Sequence, residues 1–385
     1  MSATGHGPAF AEPLHVGRPN IGNRDTFLAL AGQMFDRRWL SNNGPLVLDF
    51  ERRVADYLGV RPCITVCNGT IALEIAIRAL GLSGEVIVPS YTFVATAHAL
   101  HWLGLTPVFV DINPATHSLD PAAVRRAITP RTTGIIGVHL WGRGAPVKEL
   151  EAIAAEHKLE LMYDAAHAFG CSIGGEMIGR FGRLEVLSFH ATKFFNTFEG
   201  GTVVTNDDVL AGTLREMRNF GFVGFDNVAS TGTNGKMVEI CAAMGLTNLE
   251  YIDTVIAANR EHYHEYQAAL SGVPGISVLP YDERERNNYQ YVVIEVADSC
   301  PASRDAIIAA LHAQNVLARK YFWPGVHRMQ PYRDLFPDAG KVLPNTVRVA
   351  DRVIVLPTGT TLPPGAVSTI AGIIRSVVGA PTRGG

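Results

Sequence analysis

The sequence predicts an α/β protein, with a large domain on a mostly parallel central sheet flanked by helices and a smaller C-terminal α+β domain. Three observations predict it. Between about residues 46 and 206, short apolar runs alternate with helix-like segments, the rhythm of an α/β domain. Several of those runs are apolar on both faces, as strands buried inside a parallel sheet are. The rhythm then changes, and a chain of 385 residues exceeds the usual size of one domain.

Taken in order, Leu46, Leu48, Phe50, Val54 and Leu58 predict a helix over 46–58. Residues 64–67 read as a strand entering the turn Asn68-Gly69-Thr70, and 71–80 as the helix that follows. Further strands are expected over 86–89, 106–110, 134–138, 159–163, 186–189 and 202–205, each short and rich in β-branched or apolar residues. Crossover helices fill 121–127 and 146–157, the second with Glu149, Glu151 and Glu156 on its polar side. Beyond residue 206, 209–219 reads as a helix, and 242–270 as one long helix whose polar face suits a bridge between domains. Strands over 276–279 and 289–296 and helices over 303–314 and 367–378 complete the smaller domain. The expected division is a partly flexible N-terminal segment over 1–20, a large domain over 21–250 and a small one over 251–385.

Hydrophobic residues make up 47% and charged ones 18%, the balance of a compact enzyme and not of a disordered or fibrous chain. The net charge of -3 and the scatter of basic residues give no footprint for nucleic acid or a membrane surface, so a small-molecule substrate is expected. The first residues carry no basic stretch followed by an apolar run, and no segment has the length of a membrane span, which predicts a cytoplasmic protein. Five cysteines, none in a C-x-x-C pair, point to reduced thiols and argue against a disulfide framework or a thiolate zinc site. His262 and His264 face apart on a helix, and no metal site is expected.

The stretch over 161–206 carries the chemistry. Asp164 directly follows an apolar strand, so its carboxylate emerges at the carboxyl end of the sheet, where open α/β folds bind ligands. A carboxylate there needs a partner, because an isolated buried charge is very costly. A protonated pyridine nitrogen is one such partner. Lys193 follows a second strand-like run and is flanked by Phe194 and Phe195, company that lowers its pKa and exposes a neutral amine able to form an imine with an aldehyde. Ser188 supplies a hydroxyl for phosphate, and Asn68-Gly69-Thr70 a second anion site where a strand turns into a helix N-terminus. Singly, each has a bland alternative: a helix cap, a lysine reaching solvent, an ordinary turn.

Together these residues resemble the DegT/DnrJ-type nucleotide-sugar aminotransferases, of the aspartate aminotransferase superfamily with fold type I. The resemblance runs through WLSNNGPLVLDFE, CNGTIAL, VPSYTFVATAHAL, DAAHAFG, SFHATK, EGGTVVTND, GTNGKMVEICAAMGLTNLE and YFWPGVH, nearly the whole chain. It implies that Lys193 holds pyridoxal 5'-phosphate as a Schiff base and that Asp164 pairs with the pyridine nitrogen. Phe93 would stack on the ring, while Gly69, Thr70 and Ser188 would hold the phosphate. Asn234 would reach the phosphate in the other subunit of a homodimer. His167 stands where many members have Gln beside the phenolic oxygen, and His190 reads as structural. Asn42, Tyr321 and His327, with Ser41 and Asn43, are polar candidates for the nucleotide or sugar, and equally for ordinary loop and cap roles.

The implied reaction takes an amino group from glutamate, passes through pyridoxamine phosphate and delivers it to a nucleotide-linked 4-keto-6-deoxyhexose or its 3-keto isomer. Two alternatives stand beside it: amination of a cyclic keto precursor of an aminocyclitol, and a regulatory protein that keeps the fold without turnover. Members that dehydrate the sugar have histidine in place of the lysine, and Lys193 argues against that branch.

Overall fold

The computed structural model describes residues 7–380. A seven-stranded sheet runs in the order Cys63–Val66, Gly201–Val204, Leu184–Ser188, Glu160–Asp164, Thr132–Val138, Glu85–Pro89 and Thr106–Val110. All neighbours are parallel except Gly201–Val204, which is antiparallel to both strands beside it. The interior strands are almost wholly buried, polar Glu185 and Thr202 included. Helices Gly69–Ala79, Ala95–Trp102 and Asp208–Met217 pack on one side of the sheet, and Pro45–Leu58 and Glu239–Leu249 on the other.

The Pro45–Leu58 helix shows how distant chain finishes what local sequence starts. Proline sits in its first turn, where no amide proton is needed, and Gly59 ends it in the left-handed region with φ 66. Its leading N–H groups find no cap nearby. The buried carboxylate of Glu239 accepts from Leu46 N–H at 3.0 Å and Val47 N–H at 2.9 Å. Phe50, from the same helix, packs edge-on against Phe189 at 5.8 Å and face to face with Phe195 at 6.2 Å. Phe194 and Phe195 therefore turn into the core behind the lysine loop.

The single long helix expected over 242–270 is two helices, Glu239–Leu249 and Ile252–Leu270, with Tyr251 between them at φ -108, ψ 0. The reason is packing. The first helix is buried on nearly every side within the large core, whereas the second leaves that core after Ile252 and Val255 and ends among Tyr263, Tyr266 and Leu270 of a separate one. One straight rod cannot do both. That separate core lies between an antiparallel sheet, Ile276–Val278, Val292–Val296 and Val353–Leu356, and helices Ile252–Leu270, Arg304–Ala313 and Ala366–Val378.

Of the N-terminal segment, expected to be partly flexible, residues 1–6 lie outside those described, and Ala9 N–H donates to Gln314 Oε1 at 2.7 Å. Leu14–His15 pairs in parallel with Val316–Leu317, and Leu14 is buried in the smaller core. Asn20 donates to the Phe194 carbonyl at 3.0 Å, its own carbonyl accepts from Asn196 at 2.8 Å, and its side-chain oxygen accepts from Thr360. The lysine loop is thus bracketed by chain from both ends of the sequence. No described helix is long and apolar enough to cross a membrane.

Candidate active site

The parallel strands end at one edge of the sheet, and the antiparallel Gly201–Val204 begins there, Gly201 lying opposite both Ser188 and Val66. A cavity of about 580 Å³ opens at this edge, lined among others by Gly69, Thr70, Phe93, Asp164, His167, Ser188, Lys193 and Tyr321. The structure thus brings together eight of the residues singled out in the sequence.

At one end lies an anion cradle. Asn68 caps the Gly69–Ala79 helix, accepting from Ile71 N–H at 2.9 Å, and the preceding amides of Gly69 and Thr70 belong to a first turn with no intrahelical partners. Helix N-termini carry partial positive charge and favour anions. Ser188 closes the cradle at its strand end. The backbone is close-packed here: a Cβ on Gly69 would lie tightly against Ser188 Cβ at 3.0 Å, and one on Gly201 would collide with Gly69 N at 2.8 Å.

Asp164, on the strand beside that of Ser188, is buried, its Oδ2 accepting from Thr96 Oγ1 at 2.8 Å and its Oδ1 from Ala166 N–H at 3.1 Å. Burial raises its pKa, opposed by those two hydrogen bonds and by the charge of Lys193. No cationic side chain forms an ion pair with it among the described residues. A buried carboxylate held by two donors, with its pKa raised and no ion pair in contact, is a site prepared for a cationic ligand group.

Lys193 lies on the loop after the Leu184–Ser188 strand, where its amide donates to the His190 carbonyl at 2.9 Å. Gln290 of the smaller domain steadies this loop by donating to Thr192 O at 3.2 Å. Burial pulls the Lys193 pKa down to about 8, against the opposing charge of Asp164. His167 is buried and held well below the usual histidine range, by burial first and by Lys193 second, so its ring is neutral. Its Nδ1 accepts from Trp141 N–H at 3.4 Å, and its ring stacks on Trp141 and Phe322. Phe93 and Tyr321 form the mouth, Phe93 more than half exposed.

Three other candidates lie outside this wall. Asn234 is exposed, its side-chain oxygen accepting from Lys236 Nζ at 2.7 Å. Asn42 is exposed in the loop before Pro45–Leu58, at φ 60. His327 is buried, with Nδ1 2.7 Å from Ser90 Oγ, which also accepts from the His327 backbone at 3.0 Å; it braces the loop after Glu85–Pro89 and does not face the cavity.

Sequence reasoning missed Thr96, the side-chain donor to Asp164, although it lies in the quoted segment around Phe93; a hydroxyl one turn from an aromatic was its only signal. Thr92 supports it from 3.0 Å. Glu199, 3.3 Å from His190, and Phe322 also line the wall; both lie in segments quoted for the resemblance, EGGTVVTND and YFWPGVH, without a role assigned to them there. Among the described residues no cluster of His, Cys, Asp or Glu could hold a metal ion. An anion cradle, a buried carboxylate and a lysine of lowered pKa between them can hold a flat heteroaromatic aldehyde that bears an anionic arm and a protonated ring nitrogen.

Comparison with known proteins bears on this geometry. Residues 23–375 match the model of the DegT/DnrJ/EryC1/StrS aminotransferase family. The chain is 38% identical to a dTDP-4-amino-4,6-dideoxy-D-glucose transaminase of Shigella dysenteriae, over 95% of this chain and 99% of that one. It is 34% identical to a GDP-perosamine synthase of Caulobacter vibrioides, over 80% of this chain and 85% of the other. Among solved structures, DesI in the presence of its TDP-sugar product superimposes with a TM-score of 0.92 and 46% identity, covering 97% of this chain and 95% of DesI.

Proposed function

Since this chain belongs to the DegT/DnrJ/EryC1/StrS aminotransferase family, we propose that it uses pyridoxal 5'-phosphate to move an amino group from glutamate to C4 of a nucleotide-linked 4-keto-6-deoxyhexose. Its fold is type I of the pyridoxal-phosphate enzymes. The observation that carries the reading is one cavity lined by Lys193, the buried Asp164 carboxylate and the Gly69–Thr70–Ser188 cradle. The choice of C4, and of dTDP as the nucleotide, is supported by the Shigella transaminase, whose name carries the amine at that carbon.

The residues present fit the cofactor. Gly69, Thr70 and Ser188 would hold its phosphate, Asp164 its ring nitrogen, Lys193 its aldehyde carbon and Phe93 a ring face, with His167 near the phenolic oxygen. When bound, the cofactor supplies an electron sink that lets a proton leave the carbon bearing the amino group. Thr96 and Ala166 keep the Asp164 carboxylate oriented. Lys193 Nζ, with a pKa of about 8, carries a proton off the α-carbon of the donor in one half-reaction and onto the carbonyl carbon of the sugar in the other. Phe93 and Tyr321 narrow the mouth against water.

In this reading residues 21–250 hold the cofactor, 251–385 form the smaller domain, and the enzyme works in the cytoplasm, a reducing setting that suits its five unpaired cysteines. It is a homodimer in which Asn234 serves the partner's site. Support comes from the exposed position of Asn234 beside the Phe222–Val223 and Asn227–Val228 hairpin, whose Phe225 is 96% exposed.

The test is a panel of nucleotide-linked keto sugars offered to the loaded enzyme with glutamate. A 4-amino sugar is expected from the wild type and none from Lys193→Ala, with an unchanged far-ultraviolet spectrum. Turnover by Lys193→Ala would remove the mechanism, and amination of a 3-keto sugar alone would move the acceptor carbon. A fully active monomer at high dilution would remove the dimer.

A further inference from the structure

The wall behind His167 carries a run of hydrogen bonds that the reaction above leaves unexplained. It begins in the smaller domain, where Glu295 of the Val292–Val296 strand lies 2.7 Å from Nε2 of the buried His117. His117 Nδ1 stands 3.2 Å from Nε1 of the Trp141 indole. An indole nitrogen only donates, so Nδ1 accepts and the His117 proton sits on Nε2, toward Glu295. The backbone N–H of Trp141 then donates to Nδ1 of His167 at 3.4 Å. By the same logic His167 carries its proton on Nε2, in the wall of the cavity that Lys193 shares.

Trp141 is the link. Its backbone lies at φ 62, ψ 17, in the left-handed region that a bulky side chain rarely enters. Such a conformation persists only where its surroundings enforce it. They do so on three sides: the indole bonds to His117, the carbonyl accepts from the Tyr281 hydroxyl at 2.9 Å, and the ring is stacked against Phe322 at 5.3 Å. With the indole anchor gone, the peptide is free to relax and its N–H to leave His167.

We infer that Glu295 and His117 are positioning residues that act through Trp141 to fix the ring orientation and Nε2–H tautomer of His167. The seating of the smaller domain is thereby coupled to the cavity wall. The consequence for catalysis rests on the function proposed above, because an Nε2–H donor is what a phenolic oxygen on a bound ring requires. The tautomer itself does not rest on it.

The test uses protein labelled with ¹⁵N-histidine, with and without pyridoxal phosphate, and two-bond ¹H–¹⁵N correlation spectra that report tautomers directly. His167 is identified as the signal lost in His167→Gln. The wild type is expected to show Nε2–H at both His117 and His167. Glu295→Leu, at a partly exposed side chain, is expected to give His167 a mixture of tautomers. It should also lower kcat about tenfold with KM for glutamate nearly unchanged. Glu295→Gln, whose amide oxygen accepts the same bond, is expected to restore both. An Nδ1–H tautomer at His167 in the wild type, a Glu295→Leu spectrum unchanged at His167, or no rescue by glutamine overturns the inference. A drop in melting temperature with the tautomer intact does so too. If the proposed reaction is wrong, the tautomer change persists in a protein that transfers no amine, so the two failures are distinct.

Discussion

The reactivity of Lys193 toward aldehydes should rise through about pH 8, and removing the nearby carboxylate should make the amine more reactive while destroying the enzyme. Burial disfavours the ammonium and brings the Lys193 pKa from 10.5 down to about 8, while Asp164 pulls it the other way. The neutral amine is the nucleophile, so reactivity is low below that pH and gained above it. At pH 7.5 about a quarter of Lys193 is neutral, against about a thousandth of an ordinary lysine, an advantage of roughly 250-fold. Asp164→Asn deletes the charge that favours the ammonium, so the pKa falls further and the neutral share at pH 7 rises. The assay is a timed pulse of a small aldehyde with cyanoborohydride on cofactor-free protein between pH 6 and 10, read by mass spectrometry of the Lys193 peptide. Transamination by Asp164→Asn should nonetheless collapse, since the ring nitrogen has lost its counter-charge. A wild-type midpoint near that of the surface lysines, or one that rises in Asp164→Asn, would refute the reasoning.

Ser188→Ala should raise the dissociation constant of pyridoxal phosphate about fivefold, the loss of about 1 kcal/mol for one hydrogen bond, and a wild-type titration curve would remove Ser188 from the cradle. Glu239→Ala leaves two amides of the Pro45–Leu58 helix without their carboxylate, costing about 2–3 kcal/mol by urea unfolding; a loss below about 0.5 kcal/mol would show the cap to be redundant. A Cβ on Gly245 would lie 2.6 Å from the Phe50 ring, so Gly245→Ala should cost about 1–3 kcal/mol. Adding Phe50→Leu should give a double variant about 1 kcal/mol better than the sum of the single losses, and strict additivity would contradict the clash.

Much of the architecture was legible because its signals are local. A strand such as Thr106–Val110 or a helix such as Pro121–Ala127 announces itself by composition, a proline in the first turn and a following change of period. The Arg24–Arg37 helix escaped notice because it buries only Ala31 and Met34, too narrow a stripe to register as periodic. Ala95–Trp102 is short and nearly uniform in hydropathy around its circumference. Val353–Leu356 is an apolar run of four residues, a length at which strand and buried helix look alike.

The candidate site divides along the same line. Asp164, Ser188 and Lys193 could be named from the chain alone, since each sits at or just beyond the end of an apolar run, and strand ends in an α/β sheet converge on one edge. What surrounds them could not. Thr96 reaches Asp164 across 68 positions, Asn20 holds the lysine loop across 174, and Glu295 addresses His117 across 178. Contacts of that span leave no period or spacing to read. They exist because two elements are brought together by the burial of apolar faces elsewhere, and the polar groups then left facing each other must pair. The chain by itself determined the chemistry it carries and the elements that carry it. The tertiary structure decided which carboxylate would lack a cation, which imidazole would face the cavity or be sealed behind it, and how far one amine would be drawn from water.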